Sequence, residues 1–272
     1  MDHAEALILG IDFTCAPRPA KAITVAFARW DRQALVVDRI DRLTDFAAFE
    51  ALLARPGPWI GGFDFPFGLP AELIRDLGWP REWRALVQHC KAMTRQEFRA
   101  ALDAYRATRP AGRKYAHRAT DAPAGSSSPM KLVNPPVALM FHEGARRLAA
   151  AGVHVPMLAP GDRSRIALEA YPGLLARSIV RSSYKSDARS KQTPERAAAR
   201  VKILTALCSG EHRLGVSVRF SSRRLQRDVA SDSAGDLLDA VLCAVQAAWA
   251  SRKPQFGMPR GVARCEGWIV SA

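Results

Sequence analysis

Apolar residues are grouped in short runs near the start of the chain, and each run stops at a polar turn or a proline. Residues 7–14, 23–30 and 34–40 form three such runs in quick succession, which predicts a meander of antiparallel strands. Residues 44–54 carry apolar side chains at helical spacing, and residues 59–66 form another apolar run. The predicted order of elements in this part of the chain is β-β-β-α-β.

The middle of the chain has a different pattern. Residues 71–105 favour helix, whereas residues 106–136 lose this periodicity and are rich in Pro, Gly, Ser and basic residues. A helix is predicted again over residues 140–152. A loop as long as 106–136 is usually functional or disordered. Because no independent sheet is visible, we interpret residues 71–163 as a mainly helical insertion into a single domain covering residues 1–272.

The last third of the chain adds one predicted strand and a long helix. Residues 165–172 are a short apolar run that carries Glu169 before a proline. Residues 231–250 form a strongly amphipathic helix, with an apolar stripe on one side and Asp236 and Asp239 on another. Five predicted strands and these helices indicate an α/β protein.

The composition indicates a globular protein. Of the 272 residues, 48% are hydrophobic, which is enough for a core, and no run approaches the roughly 18 apolar residues that span a bilayer. The first residues lack the features of a signal peptide. The five cysteines show no spacing typical of zinc sites or of a disulfide framework. We expect a cytoplasmic protein with reduced thiols and no membrane association; the sequence gives no oligomeric state.

The formal net charge of +14 indicates a polyanionic partner. Nucleic acid is the most common partner of this kind, and anionic membranes or ribosomal surfaces are alternatives. Most of the basic residues are arginine, whose guanidinium group binds phosphate well. A GC-rich genome would produce the same bias toward arginine.

Acidic residues occur where three predicted strands end, at Asp12, Asp64 and Glu169. Asp236 and Asp239 lie near the start of the last helix. If these carboxylates meet at one place, they would bind Mg²⁺ or Mn²⁺, hard cations that prefer oxygen ligands. Each acid also has a structural interpretation: turn capping for the first two, an ion pair with a nearby arginine for Glu169, and a favourable position in the helix dipole for the last two.

Several motifs in this order resemble a known family. They are GIDFT, GFDFPFGLP, RPAGRKYAHRATD, SPMK, MFHEG, LEAYPGLLAR and DLLDAVLCA, and together they span residues 7 to about 250. The chain resembles the predicted RNase H-like nucleases grouped as domain of unknown function family 429, and its last helix is similar to the C-terminal acidic helix of RuvC-type resolvases. The resemblance implies a mixed five-stranded RNase H-like sheet, with three antiparallel strands followed by parallel strands, flanked by helices.

The resemblance and the acids together predict a divalent-metal-dependent nuclease that hydrolyses the phosphodiester bonds of DNA or RNA. Asp12 is expected to bridge two Mg²⁺ or Mn²⁺ ions. Asp64 is expected to complete the coordination sphere of one ion, and either Asp239 or Asp236 that of the other. Glu169 is a further predicted catalytic residue. The expected substrate contacts are Arg113, Lys114, His117, Arg118, Lys131 and Lys185. Two alternatives stay open: a phosphotransferase or ATP-binding protein of actin-like topology, and a nucleic-acid-binding module without catalysis.

Overall fold

The computed structural model describes residues 6–272. Its strands are β1 (Leu7–Asp12), β2 (Ile23–Asp31), β3 (Ala34–Leu43), β4 (Trp59–Phe63), β5 (Val153–His154), β6 (Asp162–Glu169) and β7 (Ser217–Phe220). Its α-helices are α1 (Phe46–Ala54), α2 (Ala71–Asp76), α3 (Trp83–Lys91), α4 (Arg95–Thr108), α5 (Asp121–Ala124), α6 (Val137–Ala151), α7 (Pro172–Ile179), α8 (Pro194–Ser209), α9 (Arg223–Ser231) and α10 (Asp236–Ser251). Over the residues described, none of these helices is long and apolar enough to cross a membrane.

All seven strands belong to one mixed sheet with β1 at its centre. The strand order is β5-β6-β4-β1-β2-β3-β7. β1 pairs antiparallel with β2, and β2 pairs antiparallel with β3. On the other side, β4 is parallel to β1 and β6 is parallel to β4. The carboxyl ends of β1, β4 and β6 therefore meet at one edge of the sheet.

Helix α10 lies against one face of the sheet, across β1, β2 and β4. Two glycines that pair across β1 and β4, Gly10 and Gly62, allow a close approach. A Cβ atom at Gly10 would collide with the backbone carbonyl of Ala240, and one at Gly62 would collide with that of Cys243. The backbone of α10 consequently packs directly on the two central strands.

Helices α1, α3 and α6 cover the opposite face. Phe49 of α1 and Trp83 of α3 share an apolar core with Ile11 and Phe63 of the sheet. Successive residues of a strand point to opposite faces. Asp12, which follows Ile11, therefore points toward the α10 side of the sheet.

The sheet has seven strands, whereas the sequence predicted five. The predicted runs correspond to β1, β2, β3, β4 and β6, and their antiparallel and parallel pairing confirms the mixed α/β sheet. The two further strands are β5, with two residues, and β7, with four, and they form the two edges. Segments this short contain too little alternation to be recognised from their pattern.

The segment 71–163 contains α2 to α6 and β5. Helix α4 continues to Thr108, and the residues between α4 and α6 are irregular apart from the short α5. This long loop is not simply a solvated basic segment, because Arg118, Asp121 and Met130 within it are buried. It packs onto the domain at the edge where β4 and β6 end.

Candidate functional site

Asp12 and Asp64 lie side by side at the carboxyl ends of β1 and β4. Ile11 pairs with Phe63, and the backbone N–H of Asp64 donates to the carbonyl of Ile11 (2.9 Å). Asp12 and Asp64 are therefore the next residues along two adjacent strands, which lie about 4.8 Å apart. Asp12 and Asp64 follow Gly10 and Gly62 by two residues. Because side chains alternate along a strand, both carboxylates point to the same face as these glycines, which is the face that α10 covers.

Helix α10 adds Asp236 and Asp239 from its first turn. Gly235, which precedes the helix, has a φ of 80°, a conformation that favours glycine. Because α10 packs closely on β1 and β4, its first turn lies beside the ends of these strands. Asp236 and Asp239 are both buried. The structure thus brings together the four acids expected to bind metal, and the positive end of the helix dipole stabilises the helical pair.

Two lysines neutralise the helical acids. The Nζ atom of Lys21 donates to Asp236 Oδ1 (2.7 Å), and Lys185 Nζ forms an ion pair with Asp239 Oδ2. The hydroxyl of Tyr184 donates to the other oxygen of Asp239 (2.5 Å). Burial by itself lowers the pKa of the Lys185 ammonium group, but the negative charge of Asp239 outweighs burial and raises this pKa well above its usual value.

Asp12 and Asp64 have no such partner. Within residues 6–272, neither side-chain carboxylate accepts a hydrogen bond or forms an ion pair. Burial, followed by the charge of Asp239, raises the pKa of Asp12 well above its ordinary value. The same two causes, in the same order, raise the pKa of Asp64 to about 7. The acids therefore repel one another in a poorly solvated place, and the cluster has more negative than positive groups.

Thr24 is a further polar residue beside the cluster. It pairs with Asp12 across β1 and β2, and side chains of directly paired residues lie on the same face. Its side chain is fully buried, and its hydroxyl oxygen has no hydrogen-bond partner among the described residues. Unsatisfied buried hydroxyls are uncommon and call for an explanation. A bound water or ion beside Asp12 would give this hydroxyl a partner.

The donor atoms of the cluster suit a hard divalent cation, but two acids already hold ammonium groups. Among residues 6–272, no three His, Cys, Asp or Glu side chains are arranged so that they could hold a metal ion directly. Lys21 and Lys185 already occupy oxygens of Asp236 and Asp239. The unpaired carboxylates and the unsatisfied Thr24 hydroxyl are the oxygen groups of the cluster that could bind a cation.

Glu169 lies on the other face of the sheet. It pairs with Phe63 across β4 and β6, and Phe63 belongs to the core beneath α1, α3 and α6. The Glu169 side chain therefore starts on the face opposite to Asp12 and Asp64, although Glu169 still lines the same pocket at the strand ends. The sequence placed Glu169 among the catalytic acids because it too ends a strand. The face of the sheet to which Glu169 points depends on how β6 pairs with β4, and this register cannot be read from the sequence.

Glu169 instead belongs to a buried ion-pair network. Arg118 donates to both of its oxygens (2.7 and 2.8 Å), and Glu169 Oε2 also accepts the backbone N–H of Phe67 (2.9 Å). Arg118 makes further bonds to Asp121 Oδ1 and to the carbonyl of Glu266. Burial alone lowers the pKa of the Arg118 guanidinium, but the charge of Glu169 outweighs burial and raises this pKa above its usual value, so the group stays charged. This network corresponds to the structural interpretation of Glu169.

The C-terminal segment completes the same network. The carboxylate of Glu266 accepts the backbone N–H groups of Ala71 (2.7 Å) and Ala119 (2.9 Å). The hydroxyl of Thr120 accepts the backbone N–H of Ile269 (3.0 Å). The long loop of the insertion is therefore fastened both to β6 and to the last residues of the described chain.

A pocket of about 880 Å³ opens above the cluster. Asp12, Asp64 and Asp236 line it at the ends of the central strands and of α10. Ser126, Ser127 and residues 134–137 of the insertion line one part of its wall, and residues 180–185 with Asp187 line another. A concave space of this size with converging titratable groups is the usual form of a small-ligand or active site.

The six basic residues expected at the substrate are not all placed together. Arg118 and Lys185 line the pocket, although each is held by an acid. Within the described structure, the pocket lining does not include the other four: Arg113, Lys114, His117 and Lys131. Arg113, Lys114 and His117 are exposed on the loop before α5 and can meet only a ligand that extends beyond the pocket.

Sequence reasoning missed three residues of the site. Lys21 lies in the β1–β2 connection, Thr24 lies inside β2, and Tyr184 lies in an irregular segment after α7. None of them belongs to a motif or a periodic stripe. The pairing register places Thr24, and long-range contacts place Lys21 and Tyr184, so only the folded chain reveals them.

Comparison with known proteins identifies one family. Neither the curated proteins nor the solved structures contain a match to this chain. The model of the family described as "Protein of unknown function (DUF429)" matches residues 10–255. The match runs from the second half of β1 to beyond α10 and so includes all four acids of the cluster. This chain is therefore a member of the DUF429 family.

Proposed function

We propose that this protein is a divalent-metal-dependent hydrolase of phosphodiester bonds in nucleic acid. The observation that carries the proposal is the pair of carboxylates of buried Asp12 and partly buried Asp64, which share one end of the sheet without a cationic partner among the described residues. An unpaired buried charge costs several kcal/mol. Two adjacent carboxylates in this condition are typical of a site that gains a cation from solution.

Asp12 and Asp64, with Asp239 or Asp236, would hold Mg²⁺ or Mn²⁺. Such an ion supplies an activated water molecule and neutralises the charge on a phosphate group. Lys185 would have to leave Asp239 in exchange, and its ammonium group would then be free to contact a substrate phosphate. Tyr184 donates to Asp239 independently of Lys185 and would keep this carboxylate oriented during the exchange.

The charge of the molecule favours nucleic acid as the source of the phosphodiester. The chain carries a net charge of +14, and Arg177 and Arg181 are exposed residues that line the pocket. Arginine binds phosphate through paired N–H groups. A long polyanion can contact the pocket and the exposed Arg113 and Lys114 at the same time.

The arrangement of the strands supports an RNase H-like fold. The first three strands are antiparallel, the fourth lies parallel to the first, and an acidic helix crosses them. Acids at the ends of β1 and β4 and at the start of α10 are the positions that the resemblance implies for metal ligands. On this proposal, β5 and β7 extend the common sheet at its two edges.

A cleavage assay tests the proposal. Fluorescently labelled single-stranded and double-stranded DNA and RNA are incubated with the protein in Mg²⁺, in Mn²⁺ or in EDTA. We expect shorter products only with a divalent metal, and a loss of at least about a hundredfold in rate for Asp12→Asn, as when a key electrostatic group is removed from an active site.

Asp103→Asn is the matched control. Asp103 is an exposed acid on α4 that pairs with Arg106, so the same substitution there should leave cleavage unchanged. Circular dichroism should show that both variants are folded. Cleavage that survives Asp12→Asn would contradict the proposal, and tight binding without cleavage in any metal would favour the non-catalytic binding module.

A further inference from the structure

Two segments of the chain flank the pocket above the acids. Ser126, Ser127 and residues 134–137, up to the start of α6, line one side, and residues 180–185 with Asp187, after α7, line the other. Its acids lie at the inner end, where Asp12 and Asp236 are almost completely buried. A scissile phosphate would approach them between these two walls.

The size of the pocket separates single strands from duplexes. A sphere of 880 Å³ is roughly 12 Å across, about the width of the major groove alone in B-form DNA, so a whole duplex, which is wider than its groove, does not fit inside. A duplex carries its phosphates on a rigid cylinder, so the walls would hold its backbone away from Asp12 and Asp64. A single strand has no second strand to clash and can enter with one nucleotide at a time.

The walls also offer a surface that suits an unpaired base. Pro136, Val137 and Met140 line the pocket and are only partly buried. The same is true of Tyr171, which directly precedes α7. Unpaired bases stack on aromatic and apolar side chains, whereas paired bases are already stacked within the duplex. Such a surface would have no function toward a phosphate alone.

The basic groups at the pocket continue the path of a backbone. Arg181 is exposed and has no hydrogen bond or ion pair among residues 6–272. Arg177 lies over the Tyr171 ring, with 5.1 Å between the guanidinium carbon and the ring centroid, and it donates to the Tyr171 hydroxyl. An arginine and an aromatic ring in contact are the usual components of a single-strand binding surface.

We infer that the pocket binds a single, unpaired strand of nucleic acid, with one base against Tyr171 and the apolar lining of the pocket and with its phosphate at the acids. The inference rests on the proposed function, because it uses the carboxylate cluster as the place of the phosphate. It assigns to Tyr171 a direct contact with the base and to Arg181 a contact with the next phosphate along the strand.

Binding measurements test the inference separately from cleavage. The anisotropy of labelled single-stranded DNA, single-stranded RNA and blunt duplex DNA is measured with Asp12→Asn in Mg²⁺, and again with the unaltered protein in EDTA. We expect single strands to bind about tenfold or more tightly than the duplex, the size of one base-stacking contact. The DNA and RNA arms show which single strand the pocket prefers.

Tyr171→Ala should remove most of this preference. Tyr115→Ala is the matched control, because the Tyr115 ring also carries an arginine, Arg106, but lies outside the pocket lining of the described structure. Equal affinity for single strands and duplex, or equal effects of the two tyrosine variants, would overturn the inference. Single-strand preference without cleavage would support it and overturn the proposed hydrolysis; equal cleavage of both forms would do the opposite.

Discussion

At the scale of single residues, the Thr24 hydroxyl allows stability and metal binding to be separated. It is buried without a partner beside Asp12. Thr24→Val keeps the shape of the side chain and removes the unsatisfied hydroxyl. This substitution should change the stability of the protein very little. We expect an unchanged or slightly higher melting temperature without metal, and a severalfold weaker Mg²⁺ affinity, both readable from thermal unfolding at increasing Mg²⁺ concentrations.

Thr94→Val provides the contrast for that experiment. The Thr94 side chain caps α4 by accepting the backbone N–H of Glu97, so its loss should cost about 1 kcal/mol of stability and leave the Mg²⁺ response intact. If Thr24→Val instead lowered stability as much as Thr94→Val and kept its Mg²⁺ affinity, the hydroxyl would have no role at the cluster.

Lys185 is the residue that a metal ion would have to displace. Its ammonium group holds Asp239, and Lys185→Met removes a charged hydrogen bond worth about 1.5 kcal/mol. Because the ion no longer competes with this bond, we expect Mg²⁺ to bind about tenfold more tightly. Isothermal titration calorimetry measures the change. Lys202→Met, at an exposed position of α8, should leave the affinity as it is, and unchanged binding by Lys185→Met would refute the competition.

At the scale of elements, Glu143 joins two helices of the insertion to the site. It lies buried on α6 and accepts Arg95 Nε of α4 (2.6 Å) and Arg147 Nη1 (2.6 Å). Arg95 also donates to the carbonyl of Cys15, three residues after Asp12. The contact connects α4 and α6 to the loop that follows β1.

The pKa of Glu143 makes this connection sensitive to acid. Burial alone raises the pKa of the carboxyl, but His142 and the guanidinium groups of Arg95 and Arg147 outweigh burial and hold it well below its usual value. A depressed pKa in the folded state gives stability that is complete above the unfolded pKa of about 4.3 and is lost as the pH falls below it. Glu143→Gln should lose about 3 kcal/mol at pH 7.

Thermal unfolding between pH 7 and pH 3 checks this expectation. The difference in stability between the unaltered protein and Glu143→Gln should narrow as the pH falls below about 4.3, because the unfolded chain then takes up a proton that folded Glu143 does not. Glu211→Gln, at an exposed position, should show the same dependence of stability on pH as the unaltered protein. A difference that stays constant over the whole pH range would show that the Glu143 charge does not contribute.

At the scale of the whole molecule, the net charge of +14 should make nucleic-acid binding strongly dependent on salt. Each phosphate that a basic group neutralises releases condensed counterions, and a protein that contacts about six phosphates loses roughly a thousandfold in affinity between 50 and 200 mM salt. Fluorescence anisotropy over this range measures the slope. A flat titration would show that the basic surface does not bind the polyanion.

Much of the fold could be predicted because its long elements have clear patterns. The apolar runs of β1 to β4 and the stripe of α10 follow from periodicity, and the acids at their ends follow from the cost of burying a charge. β5 and β7 could not be predicted, because two and four residues do not establish a period.

The partners within the site depended on register and on distant contacts. Glu169 looked equivalent to Asp64, yet its pairing with Phe63 turns it to the opposite face. Lys21 and Asp236 are far apart in sequence and meet only because α10 crosses the sheet. Local pattern carries no information about either fact.

The contacts of Glu266 and Ile269 bear on how the protein should be divided for experiments. The family match ends at residue 255, but these residues beyond it hold the start of α2 and the loop before α5 through Ala71, Ala119 and Thr120. An expression fragment cut at the end of the matched region would keep every acid of the cluster and lose the contacts that hold the long loop leading into one pocket wall. The unit that must be produced intact is therefore longer than the unit that the family defines.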